Sequence, residues 1–497
     1  MKAKKIFKGM TAAAVAAVLA ASMVPMTAFA AAVTTDTQAI TFNSNVTNLT
    51  YKIYQVATAT VAAGGTAYDY TLVAPFTDVA GYETIDKIAA VDSSDAAAKK
   101  DLADALAAKV DTTSTTPTTP LATVAGGGKA SLAPGYYLIL TSGSQMTGAP
   151  ILLSVRSDTP IGTVNAKTSE ITFDKTIEKV TASATGTGLT GGTVGIDKDT
   201  AQVSIGSTVS YKLATKFPNY AETIKATDMT EYSITDIPSA GLTLVDKDGD
   251  GLDKDDFVVT VDGTATTEFT VAAEGNGFKI SFANAFVLTN KTKDVVVTYD
   301  ATVNENAVVG TAGNPNTATL KFDNNYYEGG TSKEIPDDGK VFTTKLVVNK
   351  TFSDFTKTDT NEYPVAGFTL YAANGTDVIA TASTTKTDNT VEFKGLAAGT
   401  YVLKETTTPD GYKTADSVEI TITANGATKY DGTYSFTNAI MDTNNTYGTA
   451  NVVNVKGQTL PGTGGMGTII FTVAGAGVVL VAGIMLIVYM KKRKIEE

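Results

Sequence analysis

The chain has 497 residues, with 39 Lys+Arg against 51 Asp+Glu, a net charge of −12, and no His, Cys or Trp. These absences exclude His- or Cys-ligated zinc centres, Ser-His-Asp triads, thiol nucleophiles, haem and iron–sulfur ligation, and disulfides. The acidic balance excludes nucleic acid as a partner, because phosphates need a basic surface, and the length predicts about three domains of roughly 100–200 residues.

The N-terminus carries Lys2, Lys4, Lys5 and Lys8, an apolar run from Thr11 to Val24, and the small-residue cleavage pattern Ala28-Phe29-Ala30. That order predicts a secretory signal peptide over residues 1–30. From there to residue 441 the chain is rich in Thr, Val and Gly, in short alternating runs broken by turn residues. The pattern predicts an all-β protein of three tandem immunoglobulin-like β-sandwiches. The first, over 31–166, has strands at Thr50–Val56, Gly135–Leu140 and Ile151–Val155, and a Thr/Pro-rich loop at Thr112–Pro120. Its one helical patch has Leu102, Leu106 and Val110 repeating at i+4. The second spans 167–338 and ends in a linker containing Gly329-Gly330 and Pro336-Asp337-Asp338-Gly339. The third spans 339–441, and 442–459 reads as a polar tether.

Lys167 stands at the first junction. Its parity partners Ile161, Thr163 and Asn165 form a mostly polar face, so it is expected to be exposed.

Two other lysines stand on the wrong face of their strands. In Ile171–Ile177, Lys175 shares the apolar face of Ile171, Phe173 and Ile177; in Leu346–Phe352, Lys350 shares that of Leu346, Val348 and Phe352. Alternation points both inward, where lysine is almost never found without a partner. Candidate partners show the same parity. Asp236 follows Tyr232 and Ile234, and Glu405 follows Tyr401 and Leu403. Asn316 precedes Ala318, Leu320 and Phe322, while Asn438 sits between Phe436 and Ile440. The order Lys, acid, Asn thus occurs twice. Burial disfavours the charged forms of amine and acid alike, so a nucleophilic neutral amine can coexist with a neutral acid at ordinary pH.

Asp246-Lys247-Asp248-Gly249-Asp250-Gly251 fits the first half of a calcium loop, through Asp246, Asp248 and Asp250, but Phe257 stands where an EF-hand needs a bidentate Glu. An acidic hairpin turn is the simpler reading, so no cofactor is expected and calcium is an alternative here.

Near the C-terminus, Leu460-Pro461-Gly462-Thr463-Gly464 is followed by an apolar run over 467–490 and the basic tail 491–497. At ~1.5 Å per residue the apolar run is roughly 35 Å long as a helix, enough to cross a bilayer core. The basic tail keeps that end cytoplasmic and the bulk of the chain outside.

The pentapeptide, span and tail together resemble the sorting signal of sortase-anchored Gram-positive surface proteins. With the two Lys–acid–Asn sets and the segment Glu405-Thr406-Thr407-Thr408-Pro409-Asp410-Gly411-Tyr412, close to E-x-x-x-P-x-G-Y, the whole chain resembles the sortase-assembled major pilins. That resemblance implies Cna-type sandwiches in which Lys175 joins Asn316 and Lys350 joins Asn438 as isopeptides. Asp236 and Glu405 would assist, and one ammonia would be lost per bond. It further implies sortase cleavage after Thr463 and transfer of Thr463 to Lys167 of the next subunit. The usual motif there is close to Y-P-K-N; here it is Asn165-Ala166-Lys167-Thr168, with Lys52 and Lys129 as less favoured acceptors. The function implied is a structural pilus backbone, not an enzyme, linked to peptidoglycan on the cell surface. Its partners would be sortase, identical subunits, accessory pilins and a host surface ligand that the sequence does not identify. The alternatives are a monomeric wall-anchored adhesin and an accessory tip or base pilin.

Overall fold

The computed structural model describes residues 37–457, apart from 45–47, 62–67, 92–94, 111–117, 144–145, 167, 183–191, 221–223, 326–330 and 427, and also 478–486. Three β domains follow one another along the chain. The signal peptide, Lys167, the sorting pentapeptide and the basic tail lie outside the described residues. No helix among the described residues is long and apolar enough to cross a membrane.

In the first domain a mixed-length sheet orders Tyr68–Leu72, Thr50–Val61, Gly135–Ser142 and Ile151–Val155, with Ala122–Ala125 also pairing Thr50–Val61. All but the last residue of Gly135–Ser142 are buried, which requires cover on both faces. One face packs under helices Ile85–Ala89 and Ala96–Ala107, through Leu102, Leu106 and Val110 against Tyr54, Val56 and Leu138. The other packs on a small sheet of Lys129–Leu132, Gln38–Phe42 and Thr163–Val164 through Ile40, Phe42, Ile53 and Leu153. The helix Ala96–Ala107 starts at Asp95, whose carboxylate accepts from the amides of Ala97 and Ala98. The helical repeat therefore covers a sheet face that a plain two-sheet sandwich would leave open.

The middle domain is a two-sheet sandwich. One sheet orders Phe173–Thr181, Thr208–Lys216, Asp294–Val303, Val258–Val261 and Thr264–Ala265, with Leu242–Leu244 on Asp294–Val303. The facing sheet orders Gly192–Val194, Thr200–Val203, Thr331–Phe342, Asn314–Asn325, Tyr232–Pro238, Gly277–Phe282 and Thr270–Glu274. The linker expected at Pro336–Gly339 is absent: these residues lie inside the strand Thr331–Phe342, in register Asn316↔Gly339 and Thr319↔Pro336. At Pro336 that strand has a partner on one side only, a position where a missing amide is tolerated.

The last domain packs Thr390–Leu396, Thr344–Phe352, Gly448–Asn454 and Ile440–Met441 against a sheet of Val378–Ser383, Gly367–Ala372, Gly399–Thr407, Val418–Ala424 and Tyr434–Phe436. Of the tether expected over 442–459, the described part, 442–457, is therefore folded into this domain. Gly448–Asn454 pairs in parallel with the domain's first strand, Leu346↔Gly448 through Phe352↔Asn454, and its Ala450 and Val452 enter the core.

The middle and last domains are joined by main-chain contacts as well as by sequence. The Ile205 amide donates to the Gly395 carbonyl at 2.9 Å, Asp197 to Thr428 at 3.0 Å, and the Ala398 amide to the buried Gln202 Oε1 at 2.7 Å.

Candidate functional site

In the middle domain Lys175, Asp236 and Asn316 are each 0% exposed. The sandwich brings them together from opposite layers. Lys175 projects from the sheet of Phe173–Thr181, while Asp236 and Asn316 are near neighbours in the facing sheet, where Asp236 pairs with Ala318 and Asn316 with Pro238. Lys175 Nζ donates to Asp236 Oδ2 and, at 2.7 Å, to the Tyr299 hydroxyl. Tyr299 donates to Asp236 Oδ2 at 2.6 Å and accepts from Asn316 Nδ2 at 3.0 Å. Burial pushes the Lys175 amine down from its ordinary value, while the Asp236 carboxylate pulls the other way. Asp236 Oδ1 and Asn316 Oδ1 are buried with no hydrogen-bond partner. An amine, an acid and a carboxamide thus share a buried core, where unpaired polar groups are costly.

The last domain holds a second set, with one replacement. Lys350 is 1%, Glu405 8% and Asn454 0% exposed. Asn454 Nδ2 donates to Glu405 Oε2 at 3.0 Å and to the Lys413 carbonyl at 2.8 Å, and the Ala415 amide donates to the same carboxylate oxygen at 2.7 Å. Lys350 Nζ donates to the Thr351 and Val452 carbonyls at 2.6 and 3.3 Å, and lies 4.1 Å from the centre of the Phe352 ring. Burial, opposed by Glu405, brings this amine down to about 8, so near that pH half of it is neutral. Glu405 Oε1 and Asn454 Oδ1 are again buried without a partner.

Asn438 does not belong to this set. Its strand ends at Phe436, and Asn438 takes a left-handed turn conformation at φ 55°. Its side chain is exposed and donates to the Glu419 carbonyl at 2.8 Å. Asn454, on the domain's last strand two residues beyond Val452, the register partner of Lys350, makes the contact to Glu405 that was expected of Asn438. The parity of Ala450, Val452 and Asn454 carries the same signal that marked Asn316. The Glu405–Tyr412 segment closes over this end of the site: Gly411 turns the chain at φ 85°, Tyr412 packs on Phe352 with centroids 4.7 Å apart, and Lys413 N donates to the Val455 carbonyl.

Asp246, Asp248 and Asp250 are exposed, with a carboxylate oxygen of each within 4.8 Å of the others. Asp246 is engaged in closing its own turn, accepting from the Gly249 and Gly251 amides at 2.6 and 2.9 Å. Phe257 points into the core, 4.5 Å from Phe278 between ring centroids. The twelfth ligand of an EF-hand is replaced here by a core side chain.

Residues 353–435 match the SpaA family, a prealbumin-like fold domain, and 452–497 match the LPXTG cell wall anchor motif. The chain is 27% identical over 309 residues to the trypsin-resistant surface T6 protein of Streptococcus pyogenes serotype M6. That alignment covers 58% of this chain and 55% of the relative, so it spans about half the length of the curated protein. Among solved structures, the T6 backbone pilin of serotype M6 Streptococcus pyogenes, described as a modular three-domain structure, superposes with a TM-score of 0.58 at 18% identity, covering 86% of this chain and 99% of that one. The Corynebacterium diphtheriae major pilin SpaA gives 0.48 at 17% identity, covering 85% and 100%.

Proposed function

We propose that this cell-wall-anchored surface protein, built on the three-domain backbone-pilin fold, is the structural backbone subunit of a covalent pilus. The observation that carries the reading is the pair of buried Lys–acid–Asn sets, one in each of the two later domains. In each, the lysine amine attacks the asparagine Cγ, the Nζ–Cγ bond forms, the Cγ–Nδ2 bond breaks and ammonia leaves. The product is a neutral amide in place of a buried amine that would otherwise need a charge partner. Lys175–Asn316 then ties one sheet of the middle sandwich to the other. Lys350–Asn454 ties the first strand of the last domain to its final strand. Such bonds serve a protein that transmits tension, and a pilus shaft is the setting that demands it.

Sortase cleaves after Thr463 in this reading and transfers it to Lys167 of the next subunit, and the finished polymer is passed to peptidoglycan. Accessory pilins and a host surface ligand complete the assembly. Lys167→Ala is expected to leave secretion and folding intact, because the polar parity of its neighbours in the sequence makes it a surface position, and surface substitutions contribute little to stability. In immunoblots of wall extracts it is expected to abolish the high-mass ladder while single subunits still reach the wall. Thr463→Ala should lose both ladder and anchoring. A single band from the wild-type chain would identify a monomeric adhesin, and a ladder that persists in Lys167→Ala would move the acceptor to another lysine.

A further inference from the structure

We propose that Tyr299 is a catalytic residue of the middle-domain crosslink, relaying the proton that leaves the lysine; this rests on the reading of Lys175 and Asn316 as the reacting pair. The Tyr299 oxygen stands 2.7 Å from Lys175 Nζ, 3.0 Å from Asn316 Nδ2 and 2.6 Å from Asp236 Oδ2. It therefore touches the attacking nitrogen, the leaving nitrogen and the acid at once. The register explains the placement. Tyr299 pairs with Tyr211, which pairs with Ile177, so it lies on the lysine's sheet, two residues from the Lys175–Leu213–Val297 row and on the same face. From there its hydroxyl spans the core to the sheet that carries Asp236 and Asn316.

The ring is held on several sides. Tyr211 stacks on it at 5.5 Å and 17°, Phe278 meets it edge-on at 4.9 Å, and Phe257 lies 6.1 Å away. Burial, and then the Asp236 charge, push the phenol well above its usual value, so the hydroxyl stays protonated and can donate and accept together. As the Nζ–Cγ bond forms, Nζ gives one proton to the Tyr299 oxygen while the hydroxyl passes its own to Asp236 Oδ2. The return path delivers one proton to Nδ2, the Cγ–Nδ2 bond breaks, and ammonia departs. Tyr299 and Asp236 end as they began. The proton balance needs no outside reagent.

The last domain makes the contrast. Glu405 is one methylene longer than Asp236 and its Oε2 accepts directly from Asn454 Nδ2 at 3.0 Å. In the middle domain the contact between acid and leaving nitrogen runs through Tyr299. The tyrosine supplies the reach that the shorter acid lacks.

The test uses the full chain refolded from denatured, unreacted material, with ammonia loss followed by intact mass over time and pH. Wild type is expected to lose two ammonia molecules. Tyr299→Phe keeps the ring and removes only the oxygen. It is expected to lose one ammonia at the wild-type rate, from Lys350 and Asn454, which reports that the last domain has refolded, while near-UV circular dichroism against wild type reports the middle domain. The second loss is expected to slow by roughly 10²–10⁴-fold, the usual effect of a positioned acid–base group, and to depend more steeply on pH. Equal rates for the middle-domain bond in Tyr299→Phe and wild type would overturn the relay alone. A wild-type chain that never joins Lys175 to Asn316 would instead overturn the crosslink reading on which it rests. Should Tyr299→Phe not fold, fluorotyrosine at position 299 retains the oxygen and alters its acidity. A changed rate then supports the relay and an unchanged rate overturns it.

Discussion

The folded wild-type chain is expected to weigh two ammonia molecules less than its sequence requires. Asp236→Ala and Glu405→Ala should each restore one of them, because each removes the acid of one buried set while leaving the other intact. Asn454→Ala should restore one and Asn438→Ala none, which separates the buried residue on the last strand from the exposed one at the turn. The effect on stability is large. By analogy with disulfides, closing loops as long as 175–316 and 350–454 stabilises by roughly 5 kcal/mol each. That corresponds to a fall in melting temperature of about 10 °C or more for the affected domain. Asp236→Ala is expected to fall further, since it also leaves Lys175 buried without its acid.

Pulling between residues 167 and 463 tests the same bonds under load. Tension enters beside the first domain and reaches Lys175 within a few residues. It crosses to Asn316, follows the strands Asn314–Asn325 and Thr331–Phe342 to Lys350, and crosses from there to Asn454. Residues 317–349 are the longest stretch on this path that no crosslink bypasses, so the main extension is expected to be no more than about 120 Å. Unfolding the interior 175–316 would instead release roughly 500 Å, and 350–454 roughly 350 Å. Neither is expected. Within 175–316 and 350–454 the load passes through the crosslinks, so the resistance there is that of a covalent bond rather than of a hydrogen-bonded ladder. Residues 37–166 stand outside the path, and that domain is free to be an ordinary hydrophobic core.

Strand parity made most of the two sites legible. Lys175, Asp236, Asn316, Lys350 and Glu405 each interrupt an apolar face, and a charged or amide side chain on such a face is conspicuous. Tyr299 was not legible for the opposite reason. It alternates with Val295, Val297, Ala301 and Val303 on the inward face of its strand, where an aromatic ring looks like any other core residue. Only the position of its hydroxyl, fixed by the stack on Tyr211, distinguishes it. Asn454 carried the right parity but followed the polar stretch Asp442-Thr443-Asn444-Asn445, which suggested a tether. That stretch is instead a tight turn, with the Asp442 carboxylate accepting from the Thr446 and Tyr447 amides at 2.5 and 2.9 Å, and it leads back into the core. The same misdirection applies to Pro336–Gly339, where turn-forming residues sit on the stretch of a strand that is paired on one side only.

Tandem mass spectrometry of a protease digest tests the covalent account most directly. Two branched peptides are expected, one joining the segment with Lys175 to that with Asn316, the other joining the segment with Lys350 to that with Asn454, each one ammonia lighter than its two parts. Linear peptides carrying an unmodified Lys350 and an intact Asn454, or a branch from Lys350 to Asn438, would contradict it.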